Sequence, residues 1–458
     1  MKSIGTSRPT LKAVGQSFTI EALSGLGIDA GVREALELHG PPVRLRGLLQ
    51  PAFMFWLSIC SALHRMESLP QVLSRMLMPL RSRGIDLGPA PVTDGAIAHA
   101  RAWFGSSALR HFFAWLGNRI QASQLFHGLR VWMIDGTFFN VPDSLRNQQA
   151  FEVFKTCNGR CGYPMFKVLL LVDAATRRIR DAERALWRSS ERLPALNLLR
   201  HMGRGDLLLL DRGFYGVWFL HAILKRGADF LVRVPNTVRI RASRKDRRRG
   251  DFRMQVRSRA AHRHGMPAIL DLRIIEYQIP GFRRCRLATS LPSTVPARDL
   301  VREYHVRWEI ELALDEIKTH VSAPAPGKTP TLMRSQTPEN IEQEFYALLS
   351  AYNLIRELMG AGAEAGGKPL HVISFVGTLH TLRLSLPEMQ SCCSCDLQRL
   401  YACLISDIAA QVNARPRRAR SYPRVFKVLR KRGRIKKAAD KETQITVNLE
   451  SIKIGTAA

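Results

Sequence analysis

Two short apolar segments, each followed by an aspartate, constrain the fold of this chain more than any other feature. The first covers residues 129–134 (LRVWMI) and is followed by Asp135-Gly136-Thr137. The second covers residues 206–210 (DLLLL) and is followed by Asp211-Arg212-Gly213. Short apolar runs bounded by turn residues are typical of buried strands, and in open α/β sheets sites form at the carboxyl ends of such strands. The pattern therefore predicts an α/β sheet with an aspartate at the end of each of two strands.

Further patterns around these segments predict a mixed sheet. Strands are predicted at 163–172, 177–186 and 228–234, with a helix at 190–202. A strand-rich beginning followed by alternating helix and strand is typical of a mixed α/β domain. The alternation is interrupted at 236–291, where a β-rich insertion is expected. Its alternating segments are TVRIRASR, FRMQVRSR, LDLRIIEYQI and FRRCRLATS.

Helical patterns dominate the chain before and after this sheet. The first 20 residues are polar and are expected to be flexible, and 21–126 is predicted to form a helical domain. Its basic faces favour DNA binding over the alternative, a helical bundle for self-association. The α/β domain is expected over 127–390, and 391–458 is expected to form a C-terminal helix and a basic tail.

The charge of the chain indicates a polyanionic partner. Lys and Arg number 69 against 38 Asp and Glu, which gives a formal net charge of +31. An excess of this size favours nucleic acid first and an anionic membrane surface second. The membrane alternative has little support, because the longest apolar stretch, near 51–63, is too short to span a bilayer.

Two basic runs supply candidate DNA contacts. One lies in the predicted insertion, where hairpins could follow a phosphate backbone, although a solvated charged turn explains its arginines individually. The other is the tail 415–437, in which 12 of 23 residues are Arg or Lys. Such a tail is expected to be disordered alone and to order on nucleic acid. The candidates are Arg244, Lys245, Arg247, Arg248, Arg249, Arg417, Arg418 and Arg420.

A helix later in the chain carries a further acidic group. The stretch 304–318 contains no Gly or Pro and is rich in Glu, Leu, Ala and Ile, so it is predicted to be helical. At about 100° per residue, one face of this helix carries Tyr304, Arg307, Glu311 and Lys318. Asp315 lies on the same face, so geometry alone leaves it as an alternative to Glu311. A solvated charged face also explains the spacing, but the two aspartates upstream favour a site.

Carboxylates at strand ends and on a helix indicate a site for hard divalent cations. A partly desolvated carboxylate is unfavourable unless a cation neutralises it. Mg²⁺ and Mn²⁺ take oxygen ligands and keep positions open for phosphate oxygens. Two such ions can activate a water or a 3′-hydroxyl and stabilise the leaving oxygen, which suits phosphodiester cleavage and transfer.

These segments together resemble those of a bacterial insertion-sequence transposase of the DDE type, in the insertion sequence four family. The family's first aspartate lies in an Asp-Gly-Thr segment, as Asp135 does, and its second lies in Asp-Arg-Gly-Phe-Tyr, as Asp211 does. The family signature Tyr-x2-Arg-x3-Glu-x6-Lys is matched without a gap by Tyr304, Arg307, Glu311 and Lys318. The helical N-terminal part, the β-rich insertion and the basic tail are also similar, so the resemblance covers nearly the whole chain.

The resemblance implies an RNase H-like catalytic core and cut-and-paste transposition. Family members excise the element by way of a hairpin, insert it elsewhere, and act as a dimer on paired ends. A tryptophan stabilises a flipped base in relatives, for which Trp308 is a weak match here. The implied ligands of two Mg²⁺ or Mn²⁺ ions are Asp135, Asp211 and Glu311. The implied phosphate-binding residues are Tyr304, Arg307 and Lys318.

The sequence therefore predicts an active transposase that binds double-stranded DNA, both inverted-repeat ends and target. A catalytically inactive, transposase-derived DNA-binding protein is the alternative, and the intact acidic residues argue against it. A basic membrane-surface or RNA-binding scaffold would explain the charge but not those acidic residues. Eight cysteines in 458 residues do not indicate a disulfide scaffold, so a reducing cytoplasm is expected. The resemblance implies a bacterial, nucleoid-associated protein.

Overall fold

The computed structural model describes residues 10–87, 92–121, 125–156, 159–186, 189–240, 242–321, 333–392, 395–413 and 449–455. The chain divides into two compact units. Unit 1 comprises Met1–Ser123, Asp135–Ser190 and Glu309–Asn413. Unit 2 comprises Gln124–Ile134, Glu191–Trp308 and Ala414–Ala458. The functional domain boundaries expected from the sequence stay a prediction.

Helices form the described chain before residue 125, as the sequence predicts. They are α1 (Leu11–Gln16), α2 (Glu21–Ser24), α3 (Asp29–His39), α4 (Pro51–Leu63), α5 (Leu69–Ser82), α6 (Asp94–Phe104) and α7 (Ser107–Asn118). Thr93 begins α6 by accepting a 3.2 Å hydrogen bond from the Ala96 amide. Ser68 and Gln71 form a capping box at the start of α5, so both helices begin where local side chains satisfy free amides.

Strands and short helices alternate through the middle of the chain. They are β1 (Leu125–Phe126), β2 (Leu129–Asn140), α8 (Leu145–Ala150), β3 (Glu152–Thr156), β4 (Gly159–Asp173), β5 (Ile179–Ala185), α9 (Arg192–Leu198), β6 (Asp206–Leu210), α10 (Val217–Lys225) and β7 (Asp229–Arg233). All the strands predicted here are confirmed, and β2 and β4 extend beyond their predicted ends. The mixed α/β class is therefore confirmed.

The last part of the chain begins in unit 2 with further strands and ends in a short strand that the sequence did not predict. Its elements are α11 (Arg244–Arg249), β8 (Asp251–Arg257), α12 (Arg259–Arg263), β9 (Ile269–Gln278), β10 (Cys285–Thr289), α13 (Ala297–Val306), α14 (Trp308–Asp315), a π-helix (Glu316–Val321), α15 (Pro338–Ala365), α16 (Phe375–Ser391), α17 (Leu397–Ala410) and β11 (Lys453–Ile454).

Unit 2 is built on a sheet with the strand order β11–β9–β10–β7–β6–β2. β6 is parallel to both β2 and β7, whereas β10 is antiparallel to β7 and β9. The four leucines of 207–210 are fully buried, which explains the unbroken apolar run in the sequence. β8 pairs with β9, so the predicted β-rich segment extends this sheet instead of interrupting it.

Two details of the β-rich segment differ from the prediction. The segment TVRIRASR contains no strand among its described residues. The basic run 244–249 forms α11, because Ser243 and Asp246 make a capping box and Gly250 ends the helix in a left-handed conformation. The prediction of a charged turn or hairpin at this run was therefore wrong.

Unit 1 packs helices around α15 and includes the second half of β2. α15 contacts α4, α7, α16 and α17. Its residues Leu348, Leu354, Ile355 and Leu358 are fully buried. β2 neighbours β4, which pairs with β3 along its first half and with β5 along its second half.

The predicted helix 304–318 is interrupted. α13 ends at Val306, α14 begins at Trp308, and a π-helix follows from Glu316. The amide of Arg307 donates to the Tyr304 carbonyl, three residues earlier, instead of making the α-helical bond to the residue four earlier. The predicted continuous helix is therefore divided at Arg307, and Tyr304 and Glu311 belong to separate helices.

Two findings concern the predicted compartment. Within the described chain, no helix combines the length and the hydropathy that a membrane span requires. Among the described cysteines, Cys60, Cys285, Cys392 and Cys403 are free, and Cys395 is disulfide-bonded.

Candidate functional site

Asp135 and Asp211 come directly after the last residue pair of two parallel strands, β2 and β6. β2 and β6 run parallel, and their last paired residues are Ile134 and Leu210. The start of this pairing is held at Asp206, a fully buried carboxylate that accepts a 3.0 Å bond from the Trp132 indole. Asp135 does not end its strand as predicted, because β2 continues to Asn140 in unit 1.

In unit 1, Asp135 lies near Lys318. The Asp135 carboxylate is half-buried and accepts a 2.8 Å bond from the Gly136 amide. Burial lowers the pKa of the Lys318 ammonium, and the attraction of Asp135 opposes this shift. The Lys318 Nζ also lies 5.0 Å from the centre of the Phe138 ring and 5.9 Å from that of Phe139, where a cation is attracted by the aromatic face. The structure thus brings together one predicted carboxylate and one predicted cation.

Glu311 lies on α14 in unit 1 with its side chain half-buried. Ile310 and Ala313 are fully buried and fix the orientation of this helix. Asp315, the alternative left open by the spacing, is exposed and accepts a 2.7 Å bond from the Thr319 hydroxyl. The two acidic residues therefore differ in environment, and Glu311 has the less solvated one.

In unit 2, Asp211 lies within electrostatic reach of Tyr304 and Arg307. Burial raises the pKa of the Tyr304 hydroxyl, the Arg307 guanidinium lowers it, and the Asp211 carboxylate raises it further. Burial also lowers the pKa of His305, and the guanidinium groups of Arg233 and Arg307 add to that shift. Tyr304, Arg307 and Asp211 are therefore brought together, and Arg233 joins them from β7, a residue that no sequence pattern indicated.

The remaining candidates are Trp308, the basic residues of α11 and three residues of the tail. Trp308 is 44% exposed. The basic residues of α11 are exposed on unit 2. They are Arg244, Lys245, Arg247, Arg248 and Arg249. The three tail candidates, Arg417, Arg418 and Arg420, lie outside the described residues.

The donor chemistry of the predicted carboxylates fits Mg²⁺ or Mn²⁺. Asp135, Asp211 and Glu311 offer only carboxylate oxygens, which these hard ions prefer. Each side chain is half-buried, so each is only partly solvated. In the described part of the chain, no group of three or more His, Cys, Asp or Glu side chains is close enough to hold a metal ion.

A family model and a curated relative indicate the family of this chain. The family model "Transposase DDE domain" matches residues 127–354. Transposase InsG for insertion sequence element IS4, from Escherichia coli strain K12, is 27% identical and aligns over 82% of this chain and 84% of its own. The piggyBac transposase in a synaptic complex with hairpin DNA matches with a TM-score of 0.47 and 11% identity, over 84% of this chain and 85% of its own. The chain belongs to the DDE-type transposases of the insertion sequence four family.

Proposed function

We propose that this transposase cuts DNA at the ends of an insertion sequence and transfers those ends, with two Mg²⁺ or Mn²⁺ ions held by Asp135, Asp211 and Glu311. The main supporting observation is the register of β2 and β6, because the two aspartates are the residues that follow the paired Ile134 and Leu210. The electrostatic interaction between Asp135 and Lys318 supports the same assignment. We further propose that the catalytic core is RNase H-like, spanning about residues 127–390.

The chain's own residues would hold the substrate and keep its charges in place. Tyr304 and Arg307 lie beside Asp211, where a guanidinium can bind a phosphate through two parallel hydrogen bonds. Lys318 lies near Asp135 and would bind a phosphate as a point charge. When bound, the ions would act as Lewis acids on the attacking and leaving oxygens. The protein's contribution would be positioning and electrostatic stabilisation.

The DNA partner would be double-stranded, comprising the inverted-repeat ends and the target. The net charge of +31 supports phosphate contacts over a large surface. The helices of 21–126, the exposed arginines of α11 and the basic tail are the candidate contact regions. We also propose a homodimer on paired ends and excision through a hairpin, and the resemblance to the family supports both.

The test uses DNA that carries the sequences flanking the gene, with Mg²⁺ or Mn²⁺. Asp135→Ala and Asp211→Ala should abolish cutting and leave end binding within a few fold of wild type, because these residues are proposed to hold the catalytic ions and not the DNA. Asp143→Ala, an acidic residue in unit 1 outside the predicted set, is the matched control and should cut normally. Binding by the wild type without cutting under either metal would favour the inactive DNA-binding alternative. Equal loss of binding and cutting in the Asp135 and Asp211 variants would contradict the assignment.

A further inference from the structure

Arg177 occupies an unusual backbone conformation in unit 1. It lies in the turn between β4 and β5, and its φ is 60°, a left-handed value that arginine rarely adopts. The side chain is 5% exposed. Such conformations persist where the surrounding contacts determine them, so the contacts of this guanidinium are informative.

The guanidinium of Arg177 binds two glutamates of the segment that carries Glu311. Its Nε donates to the Glu309 carboxylate, and its Nη1 donates to Glu316 Oε1 over 2.7 Å. Glu309 lies in the first turn of α14, whereas Glu316 begins the π-helix, so one arginine holds the segment on both sides of Glu311. The attraction of Glu316 and Glu309 outweighs burial and raises the pKa of Arg177, which keeps the guanidinium charged.

Glu316 is held from a second direction by α15. The Tyr352 hydroxyl donates to Glu316 Oε2 over 2.9 Å, and Arg356 Nη1 lies 3.6 Å from the same oxygen. Arg356 Nε also donates to the carbonyl of Thr176, next to Arg177, over 2.8 Å. Arg177 and Arg356 are buried with Glu316, so removing one of these three would leave an uncompensated buried charge, whereas Glu309 is partly exposed.

The two glutamates of the network flank the position of Glu311 in the sequence. Glu309 and Glu316 are paired with arginines, and Asp315 accepts from Thr319. Glu311 lies between the two paired glutamates, and Lys318 lies in the π-helix that begins at Glu316. π-helical turns are rare and often occur at functional sites. The geometry of both residues therefore depends on how Glu309 and Glu316 are held.

We propose that Arg177 is a positioning residue, which fixes the segment bearing Glu311 and Lys318 through its bonds to Glu309 and Glu316 and thereby sets the affinity for divalent ions. The inference rests on the proposed function, because it concerns the role assigned there to Glu311. Residues that orient metal ligands typically affect metal affinity or activity by about 10-fold to 100-fold.

The experiment compares wild type, Arg177→Gln, Arg177→Lys and Glu309→Gln. Mn²⁺ binding to the isolated protein is measured from the electron paramagnetic resonance signal of free Mn²⁺, and end cutting is measured over a Mn²⁺ series. Arg177→Gln should weaken Mn²⁺ binding about 10-fold and raise the half-saturating Mn²⁺ concentration for cutting by a similar factor. Arg177→Lys should recover part of the loss, because it keeps the charge without the planar fork. Affinity for end DNA should stay within about twofold.

Arg178→Gln is the matched control. Arg178 is the next residue of the same turn and is also buried, but it binds Glu357 of α15 over 3.0 Å instead of a residue of α14. Its replacement should lower the melting temperature without changing the Mn²⁺ dependence. An equal Mn²⁺ shift in Arg178→Gln, or wild-type Mn²⁺ binding in folded Arg177→Gln, would overturn the inference.

Two further variants, Glu309→Gln and Asp135→Ala, are assayed in the same way. Glu309→Gln alters a partly exposed glutamate, so it tests the same contact if Arg177→Gln fails to fold, and wild-type Mn²⁺ binding in that variant would overturn the inference. Asp135→Ala in the same assays distinguishes a failure of the proposed function from a failure of the positioning role of Arg177. If wild type does not cut, the proposed function fails. If wild type cuts, Asp135→Ala does not, and Arg177→Gln matches wild type, only the positioning role fails.

Discussion

The indole N–H of Trp132 donates a 3.0 Å hydrogen bond to the fully buried Asp206 carboxylate and joins the first halves of β2 and β6. Arg130 and the Gly203 amide bind the same carboxylate, at 2.9 and 2.8 Å. These bonds lie at the start of the parallel pairing whose last pair precedes Asp135 and Asp211. The register of the two strands thus depends on a buried polar contact as well as on leucine packing.

Trp132→Phe should lower the free energy of unfolding by about 2 kcal/mol, because the variant cannot make the buried hydrogen bond to a charged group but largely keeps the aromatic packing. Urea unfolding would measure the change. Trp115→Phe is the comparison, because that indole stacks on the Phe112 ring at a centroid distance of 6.0 Å and tests the loss of ring area. An unchanged unfolding midpoint in Trp132→Phe would show that Asp206 is adequately satisfied by its other donors.

Glu344→Gln should destabilise unit 1 by about 3 kcal/mol. Glu344 is 2.7 Å from Arg65, and both side chains are under 10% exposed, so the substitution leaves buried arginine charge without its counter-ion. Denaturant unfolding of the variant and of the exposed control Glu339→Gln gives the comparison. A loss equal to that of the control would contradict a structural role for this pair.

The pH dependence of stability should also report Glu344. Burial raises the pKa of this carboxyl, but the attraction of Arg65 and Arg334 outweighs burial and leaves the pKa below its ordinary 4.5. Because the pKa of Glu344 is lower in the folded state, the unfolded state binds more protons. The stabilisation by the Glu344 carboxylate is therefore fully present above pH 4.5 and is lost as the pH falls below it. Wild type should therefore lose stability between about pH 5 and pH 3 more steeply than Glu344→Gln, measured by urea unfolding at each pH. Parallel curves would contradict this.

Lys318→Met should reduce DNA cutting without lowering the stability of the folded protein near neutral pH. Burial lowers the pKa of Lys318 below its ordinary 10.5, so the charged form is disfavoured in the folded state. The folded protein then binds fewer protons than the unfolded chain, and wild-type stability should rise relative to Lys318→Met as the pH approaches 10.5. The variant should melt no lower than wild type at about pH 7 but cut DNA ends poorly. A lower melting temperature with normal cutting would contradict a phosphate-binding role.

Arg248→Gln together with Arg249→Gln should weaken binding to DNA of any sequence. Both side chains are exposed on α11, and for every phosphate that the variant no longer binds, the slope of log affinity against log salt should fall by about 0.9. Titrations at several salt concentrations would measure it. Arg399→Gln is the comparison, because this arginine is also exposed but lies on α17, outside the candidate DNA-contact regions. An unchanged slope would remove α11 from the DNA-binding surface.

The sequence predicted most strands and helices because their signals are local. The leucines of 207–210 form a buried strand where one was expected, and the caps at Thr93 and Ser68 act over a few residues. The capping box at Ser243 is also local, but the density of arginines around it favoured a turn over a helix. Short amphipathic patterns in the β-rich segment gave three strands correctly but not the pairing of β10 with β7, because pairing partners are set by tertiary packing.

The site was predicted through motif spacing, and the features that were missed are tertiary. The break at Arg307 replaces an i to i−4 bond by an i to i−3 bond, which no residue type at this position signals. Arg177 and Arg233 are single arginines in a chain with many, and only the folded structure shows which carboxylates or hydroxyls they approach. Sequence reasoning can name ligands from a signature, but the residues that hold those ligands require the fold.

The most direct measurement is metal-dependent cutting of flanking-end DNA by wild type, Glu311→Gln and Asp315→Asn, assayed side by side. Both variants remove one negative charge from α14, but Glu311 is half-buried and Asp315 is exposed. The account predicts cutting at the end boundary by wild type and Asp315→Asn with Mg²⁺ or Mn²⁺, and a loss of about 100-fold or more in Glu311→Gln with end binding kept. Cutting that survives in Glu311→Gln but is lost in Asp315→Asn would show that the third carboxylate of the proposed site is Asp315.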